Sequence, residues 1–525
     1  MQNKPMISAK PITPMKTAIL TYGIVASLFS FLLVSSASGQ ASPLGLFDAH
    51  GDIGAPKISG SAAYDATGNT YTLTGGGRNI WTTNDEFQFL WKKTKGDFIV
   101  RARVEFVGKG YEFRKIGWMA RAGLDSNAPY VDAAEHGGGL TSLQYRQVAG
   151  SNCVQIILPI TNADIIQFER RGTNYIFSAA HSGETFVSTN FSNIRLPDEV
   201  YLGLFVCAHS PTAKQEAIFH DVQIVRPAKP NFVPYHDFIG SVLNILDVQG
   251  GQLETIHASA QPFEAPNWTR DDRALIYNVS GRAAGWGALV RFDLATHRES
   301  VINTGLENKN NNDHVISFDG TMLAISDQSA WHGGKSCVFT VPIGGGTPKQ
   351  ITTNSPSYAH GWSPDGKTLV FTGSRKGKFD IFEISTNGGG EIRLTDAPGV
   401  NDGPEFTPDG KYIYFNSSRT GIMQIWRMRP NGKRQQQVTH DDFNDWFPHI
   451  SPDGKRIVFI SFPADIDPAT HPYYKECYLR LMPLGGGTPR VIACLYGGQG
   501  TMNVPSWSPD SRKIAFVSNT DMSGE

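Results

Sequence analysis

The chain has 525 residues, 40% of them hydrophobic, and a formal net charge of -1. That length supports two or three separate cores, and the near-neutral balance removes any bulk electrostatic case for nucleic acid as a partner. Five cysteines, Cys153, Cys207, Cys337, Cys477 and Cys494, are an odd number without CxxC spacing, which excludes a cysteine metal cluster and predicts buried singletons, with one disulfide permitted.

In chain order, Lys4, Lys10 and Lys16 precede an apolar run over 18–34, and small residues follow at 35–39. This predicts an export signal over 1–39 and a mature chain beginning near Gln40, with a single membrane anchor as the competing reading. The small polar run after the apolar one favours the signal, so membrane contact is expected only through that transient segment. No cysteine stands at the cleavage site, which argues against a lipoprotein.

Residues 42–226 are expected to be all-β. Phe98, Val100, Ala102, Val104 and Phe106 alternate with Ile99, Arg101, Arg103 and Glu105, a half-buried antiparallel strand, and 116–121, 140–146, 165–170, 175–179, 201–208 and 218–225 continue the pattern. A run of strands without helical period predicts a two-sheet jelly-roll sandwich. The region resembles the concanavalin-like lectin/glucanase sandwiches, which implies carbohydrate binding. It lacks the Glu-x-Asp-x-x-Glu run of the glucanase members, so no hydrolysis is expected here. Asp132, Glu135 and His136 are its candidate binding residues. Pro227, Pro230 and Pro234 then mark 227–238 as a stiff, extended connector.

From 239 to 525 one phrase recurs six times, clearest as Trp362-Ser363-Pro364-Asp365-Gly366-Lys367. Its aspartates stand at 271, 319, 365, 409, 453 and 510, a period of 44 to 57 residues, which fits a four-stranded propeller blade. Pro, Asp and Gly in succession make a tight hairpin turn, and a glycine-rich turn such as Gly388-Gly389-Gly390 joins a second strand pair. Residues 241–257 form a second hairpin with no first, while 504–518 form a first with no second. Joining them closes a six-bladed β-propeller through a split blade and leaves no open edge.

The repeated Trp-Ser-Pro-Asp-Gly-Lys phrase, with the stretches 442–455, 479–487 and 496–507, resembles the TolB-like propellers of exported bacterial proteins labelled biopolymer-transport components. The resemblance implies a periplasmic or secreted protein of a Gram-negative bacterium that binds a partner in the cell envelope.

Both kinds of turn fall on one propeller face. The links between blades and the links from second to third strands share the other, where carboxylates, amides, imidazoles and aromatics concentrate. His314, His360, Asp402, Asp445, Trp446, His449 and Asn503, with Asp465 and Tyr473 from the long link 463–476, are the candidate binding residues there. Asn and Asp in such links also serve simply to satisfy turn backbones. His314, His360 and His449 precede neighbouring strands, an arrangement resembling the oligogalacturonate lyase propellers, but those have seven blades. No metal, cofactor or catalytic residue is expected. The leading reading is a monomeric recognition protein for a glycan or a cell-envelope protein, and the alternative is a polysaccharide lyase or glycoside hydrolase with a His/Asp site over the channel.

Overall fold

The computed structural model describes residues 43–280, 287–329 and 333–523. The expected export signal, residues 1–39, lies outside the described residues. Among the described residues no helix is long and apolar enough to cross a membrane, and the regular structure is almost entirely β.

Residues 49–225 form two seven-stranded antiparallel sheets. One runs in the order Ala49–Ile53, Phe87–Lys95, Glu199–Cys207, Lys115–Arg121, Tyr130–His136, Leu140–Arg146, Val154–Thr161. The other runs Val187–Phe191, Asn174–Ala180, Ile165–Arg171, Phe98–Val107, Gln215–Val225, Thr70–Gly75, Ser61–Asp65. Their inner faces share one core, in which Phe98, Val100, Ala102 and Val104 of the second sheet meet Trp118, Ala120, Val131 and Ala133 of the first. The alternation read from the sequence is therefore present in Phe98–Val107, but its opposite face is not left to water. Ile99 packs with Ile239, Tyr474 and Tyr496 of the following domain, and Arg101 bonds to the Cys494 carbonyl. Gln167 reaches Glu476, Tyr478 Oη accepts from the Phe186 amide at 3.2 Å, and the Val491 amide donates to the Gly183 carbonyl at 2.9 Å.

The C-terminal part is a six-bladed β-propeller. Five blades are four-stranded sheets, and the sixth joins Leu253–Ser259 and Gly240–Asp247 to Lys513–Thr520. Gly240 pairs with Thr520 and Asp247 with Lys513, so the ring is closed as the split hairpins predict. Trp507, bridged to Ile514, supplies the innermost edge of this blade.

The repeated phrase has a consistent job. In every copy the Ser or Thr hydroxyl donates to the Asp carboxylate, as in Ser363 to Asp365 at 2.6 Å and Thr407 to Asp409 at 2.7 Å. The same carboxylate then accepts the amide two residues on, Lys367 or Lys411, locking the turn. Two of the preceding tryptophans bond to the neighbouring blade: Trp362 donates its indole N–H to the Val315 carbonyl at 2.9 Å and Trp507 to that of His449 at 3.0 Å. Each copy thus closes a hairpin, and these two also fix the packing of consecutive blades.

These turns carry a pH signature. All six carboxyls are held below the ordinary carboxylate range. The Ser or Thr hydroxyl is the leading cause for Asp271, Asp319, Asp365 and Asp510. The Lys411 ammonium, followed by Thr407, brings Asp409 down to about 2, while at Asp453 burial pushes upward and the Ser451 bond overcomes it. Because each folded value lies below the unfolded one, about 3.9, the stabilisation is complete above pH about 4 and is lost as pH falls toward about 2. Urea melts across that window should show the propeller midpoint falling steadily; a midpoint independent of pH there would contradict the role of the turns.

Candidate functional site

The first strand of five blades carries a β-bulge, and the bulges aim the site. Register shifts occur between Glu264 and Asn267, Asn310 and His314, Ala359 and Gly361, Asp402 and Glu405, and Trp446 and His449. At three of them Ala265, Gly403 and Phe447 take left-handed φ of 61, 61 and 52°, a conformation that costs Ala and Phe free energy and is held here by the surrounding blades. At two of these bulges the residue just before the shift, Glu264 or Asp402, lines a cavity of the propeller. Counting back five positions from the Ser or Thr of each phrase gives Glu264, Asn312, Tyr358, Asp402, Trp446 and Asn503.

Glu264, Asn312, Tyr358 and Asp402 line a cavity of about 530 Å³ on the face of the inter-blade links. His360, Asp313, His471, Tyr473 and Phe447 complete its floor and sides, and Tyr235 and Phe238 of the connector form part of its wall. A separate, much smaller cavity of about 30 Å³ lies beside Arg270 and Glu405.

Its polar centre is Asp402. His471 Nε2 lies 2.9 Å from one carboxylate oxygen and His360 Nε2 3.3 Å from the other. Thr372 Oγ1 donates at 2.7 Å and the Gly403 amide at 2.8 Å. Burial alone would push this carboxyl up, but the His360 and His471 hydrogen bonds hold it well below the usual carboxylate range. For His360 burial would lower the imidazole, and the Asp402 bond with the charges of Asp313 and Asp402 raises it instead. Asp313, 3.7 Å from His360, accepts from Asn503 at 2.9 Å and Asn311 at 2.7 Å. Burial pushes its carboxyl up, against the opposing pull of His360. Glu264 accepts from Asn312 at 3.1 Å, and burial pushes it up to about 7.

Of the residues singled out from the sequence, His360, Asp402 and Tyr473 line this cavity and Asn503 stands behind it on Asp313. His314 is fully buried with its ring bonded to the Ile276 carbonyl at 3.1 Å. His449 is gripped by Glu405 at 2.6 Å and the Met502 carbonyl at 3.0 Å, so the three histidines do not converge, and no cluster able to hold a metal ion occurs among the described residues. Asp445 pairs with Arg480 at 2.6 Å and Ser461 at 2.7 Å within its blade. Trp446 is only 1% exposed, packed 5.0 Å from His471, a prop for that ring and not an open stacking platform. Asp465 is exposed on the long link and does not line the cavity.

Asp132, Glu135 and His136 are buried in the first N-terminal sheet. Glu135 accepts from Thr141 at 2.5 Å and burial raises it to about 8; His136 pairs with Ser142 at 3.1 Å and burial lowers it to about 3. Asp132 is raised well above the ordinary range by burial, against the pull of Lys115.

Comparison with known proteins places this architecture. A model of the TolB β-propeller domain matches residues 354–467. An uncharacterized protein of Agrobacterium fabrum is 43% identical over 278 residues, 53% of this chain and 92% of that protein. A solved structure from Agrobacterium tumefaciens assigned as a TolB is 42% identical, covers 54% of this chain and 99% of its own, and superposes with a TM-score of 0.51. TolB from Acinetobacter baumannii is 21% identical over 48% of this chain and 62% of its own, with a TM-score of 0.39. A six-bladed ring built on the repeated Ser-Pro-Asp turn, and near-complete coverage of a relative at 43% identity, establish that the chain belongs, through its C-terminal half, to the TolB β-propeller family.

Proposed function

We propose that this is an exported recognition protein of the Gram-negative cell envelope, which binds the polar end of a glycan or protein ligand in the propeller cavity without turning it over. The observation that carries the reading is the buried Asp402 held by His360 and His471 at the floor of a 530 Å³ cavity. A cavity of that volume, walled by aromatics and floored by a few fixed polar groups, suits a small ligand or the end of a longer one. The two N-terminal sheets act, in this reading, as a concanavalin-like jelly roll that adds a second carbohydrate surface. The TolB relatives support the envelope setting.

Screening the mature protein against envelope oligosaccharides and peptidoglycan fragments, followed by calorimetry, tests the proposal. Asp402→Asn and Tyr473→Ala are each expected to weaken binding by about 1 to 3 kcal/mol, whereas Lys367→Ala and Lys411→Ala on the opposite face leave it unchanged. Unaltered affinity in folded Asp402→Asn and Tyr473→Ala proteins would remove the cavity from recognition. Release of shortened or unsaturated products during incubation would replace binding by a lyase or hydrolase activity.

A further inference from the structure

We infer that the ligand of this cavity presents a primary ammonium group, seated between Glu264 and Asp313. The inference rests on the recognition reading above and assigns a charge to what is recognised.

The cavity divides its charges unevenly. Asp402 is answered by two imidazoles at 2.9 and 3.3 Å. Glu264 is buried and receives its hydrogen bonds from neutral groups, the Asn312 amide and the Ser280 hydroxyl. Asp313 is likewise held by the amides of Asn311 and Asn503, and the imidazole near it, His360, lies closer to Asp402. Lys309, which also lines the cavity, is exposed to water.

Two buried amide oxygens near this pair have no hydrogen-bond donor among the described residues. Asn278, cross-strand partner of Glu264, is 3% exposed, and Asn310 is 2% exposed. Both line the cavity, and among the described residues the Oδ1 of each has no donor. Two carboxylates and two buried amide oxygens around one space ask for a group with several N–H bonds and a positive charge. An alkylammonium has three donors and no acceptor, whereas a hydroxyl offers one donor and brings no positive charge to the two carboxyls.

The aromatic lining of the cavity fits the same group. Tyr235 and Tyr473 rings meet edge to face at 4.8 Å, and Phe238 lies 6.5 Å from Tyr473, an aromatic surface suited to an ammonium and its attached carbon. Finally, Gly500 packs against Glu264 so closely that a Cβ there would stand 2.3 Å from the carboxyl carbon. The glycine leaves the Glu264 carboxyl its place.

The source of the ammonium, an amino sugar or a peptide amine, is separated by matched probes. Calorimetry on the full-length mature protein would compare glucosamine oligomers with N-acetylglucosamine oligomers, and triglycine with N-acetyl-triglycine. The free amine is expected to bind about tenfold or more tightly than its acetylated form in one pair, and that pair identifies the source. Glu264→Gln keeps the side-chain shape and should bring the ratio close to one; Asp313→Asn serves in its place if that variant does not fold. Equal binding of amine and acetyl forms overturns the ammonium while leaving the cavity as the binding site. An unchanged ratio in both variants overturns its placement, and no binding by any probe overturns the inference together with the reading beneath it.

Discussion

Deleting residues 241–257 is expected to abolish the cooperative unfolding of the propeller and to produce aggregation far beyond that of a loop deletion. The segment contains Gly240–Asp247 almost entire, the strand that lies between Leu253–Ser259 and Lys513–Thr520. Its removal exposes the partners of Leu243, Ile245 and Leu246, which are buried in two different blade cores. At about 1.5 to 3 kcal/mol for each such side chain, the loss is comparable with the whole stability of a typical domain, about 5 to 15 kcal/mol. It also leaves Lys513–Thr520 as an unpaired edge. Calorimetric scanning with a dye that reports exposed apolar surface measures both effects; a soluble variant with one sharp transition would mean that the ring does not depend on this seam.

The second large effect is expected at Asp85 in the N-terminal sheets. Its carboxylate receives Arg146 through both terminal nitrogens at 2.7 Å and Arg121 at 2.8 Å, with all three side chains fully buried. The guanidiniums also lie over the Tyr130 ring at 5.1 and 5.4 Å. Asp85→Ala leaves two buried positive charges without their carboxylate and should cost about 3 to 5 kcal/mol, read as a fall in the thermal midpoint of this domain. Replacing Asp85, Arg121 and Arg146 together by apolar residues should cost far less, since the penalty lies in the orphaned charges. Equal losses in the single and triple variants would show that packing, and not charge, is what the cluster provides.

The propeller was readable because its turns are local. Ser, Pro, Asp and Gly within five positions determine a hairpin by themselves, and six repeats of that hairpin at a blade's spacing determine the ring. The site was less readable because its geometry depends on bulges. A strand read as regular alternation sends His314 toward the channel with its neighbours, whereas the shift between Asn310 and His314 turns Asn312 and Asp313 inward and buries the histidine against Ile276. The position five residues before each phrase carries the signal that regular alternation obscured: Glu264, Asn312, Tyr358 and Asp402 share it, and each lines the cavity. Tyr235 and Phe238 had no such signal, because the prolines around them describe a stiff connector and say nothing about where it lies. The same limit applies to Arg101, which alternates like a solvent-facing residue and is instead buried against another domain.

The way that connector is tied down has a mechanical consequence. Arg226, where the chain leaves the N-terminal sheets, accepts the Asp521 amide at 2.8 Å and donates its own amide to Thr520 Oγ1 at 2.9 Å, while the Ile239 amide bonds to Tyr474 Oη at 3.3 Å. Tension applied through the N-terminal domain therefore arrives at the last residues of the closing strand before it reaches Gly240–Asp247. That strand is bonded along both sides, to Leu253–Ser259 and to Lys513–Thr520, so the load is spread over two ladders. A protein tethered by its N-terminal sheets and pulled through a ligand in the cavity would be loaded across a strand bonded on both sides, and the Tyr235 wall of that cavity lies on the segment between the Arg226 anchor and that strand.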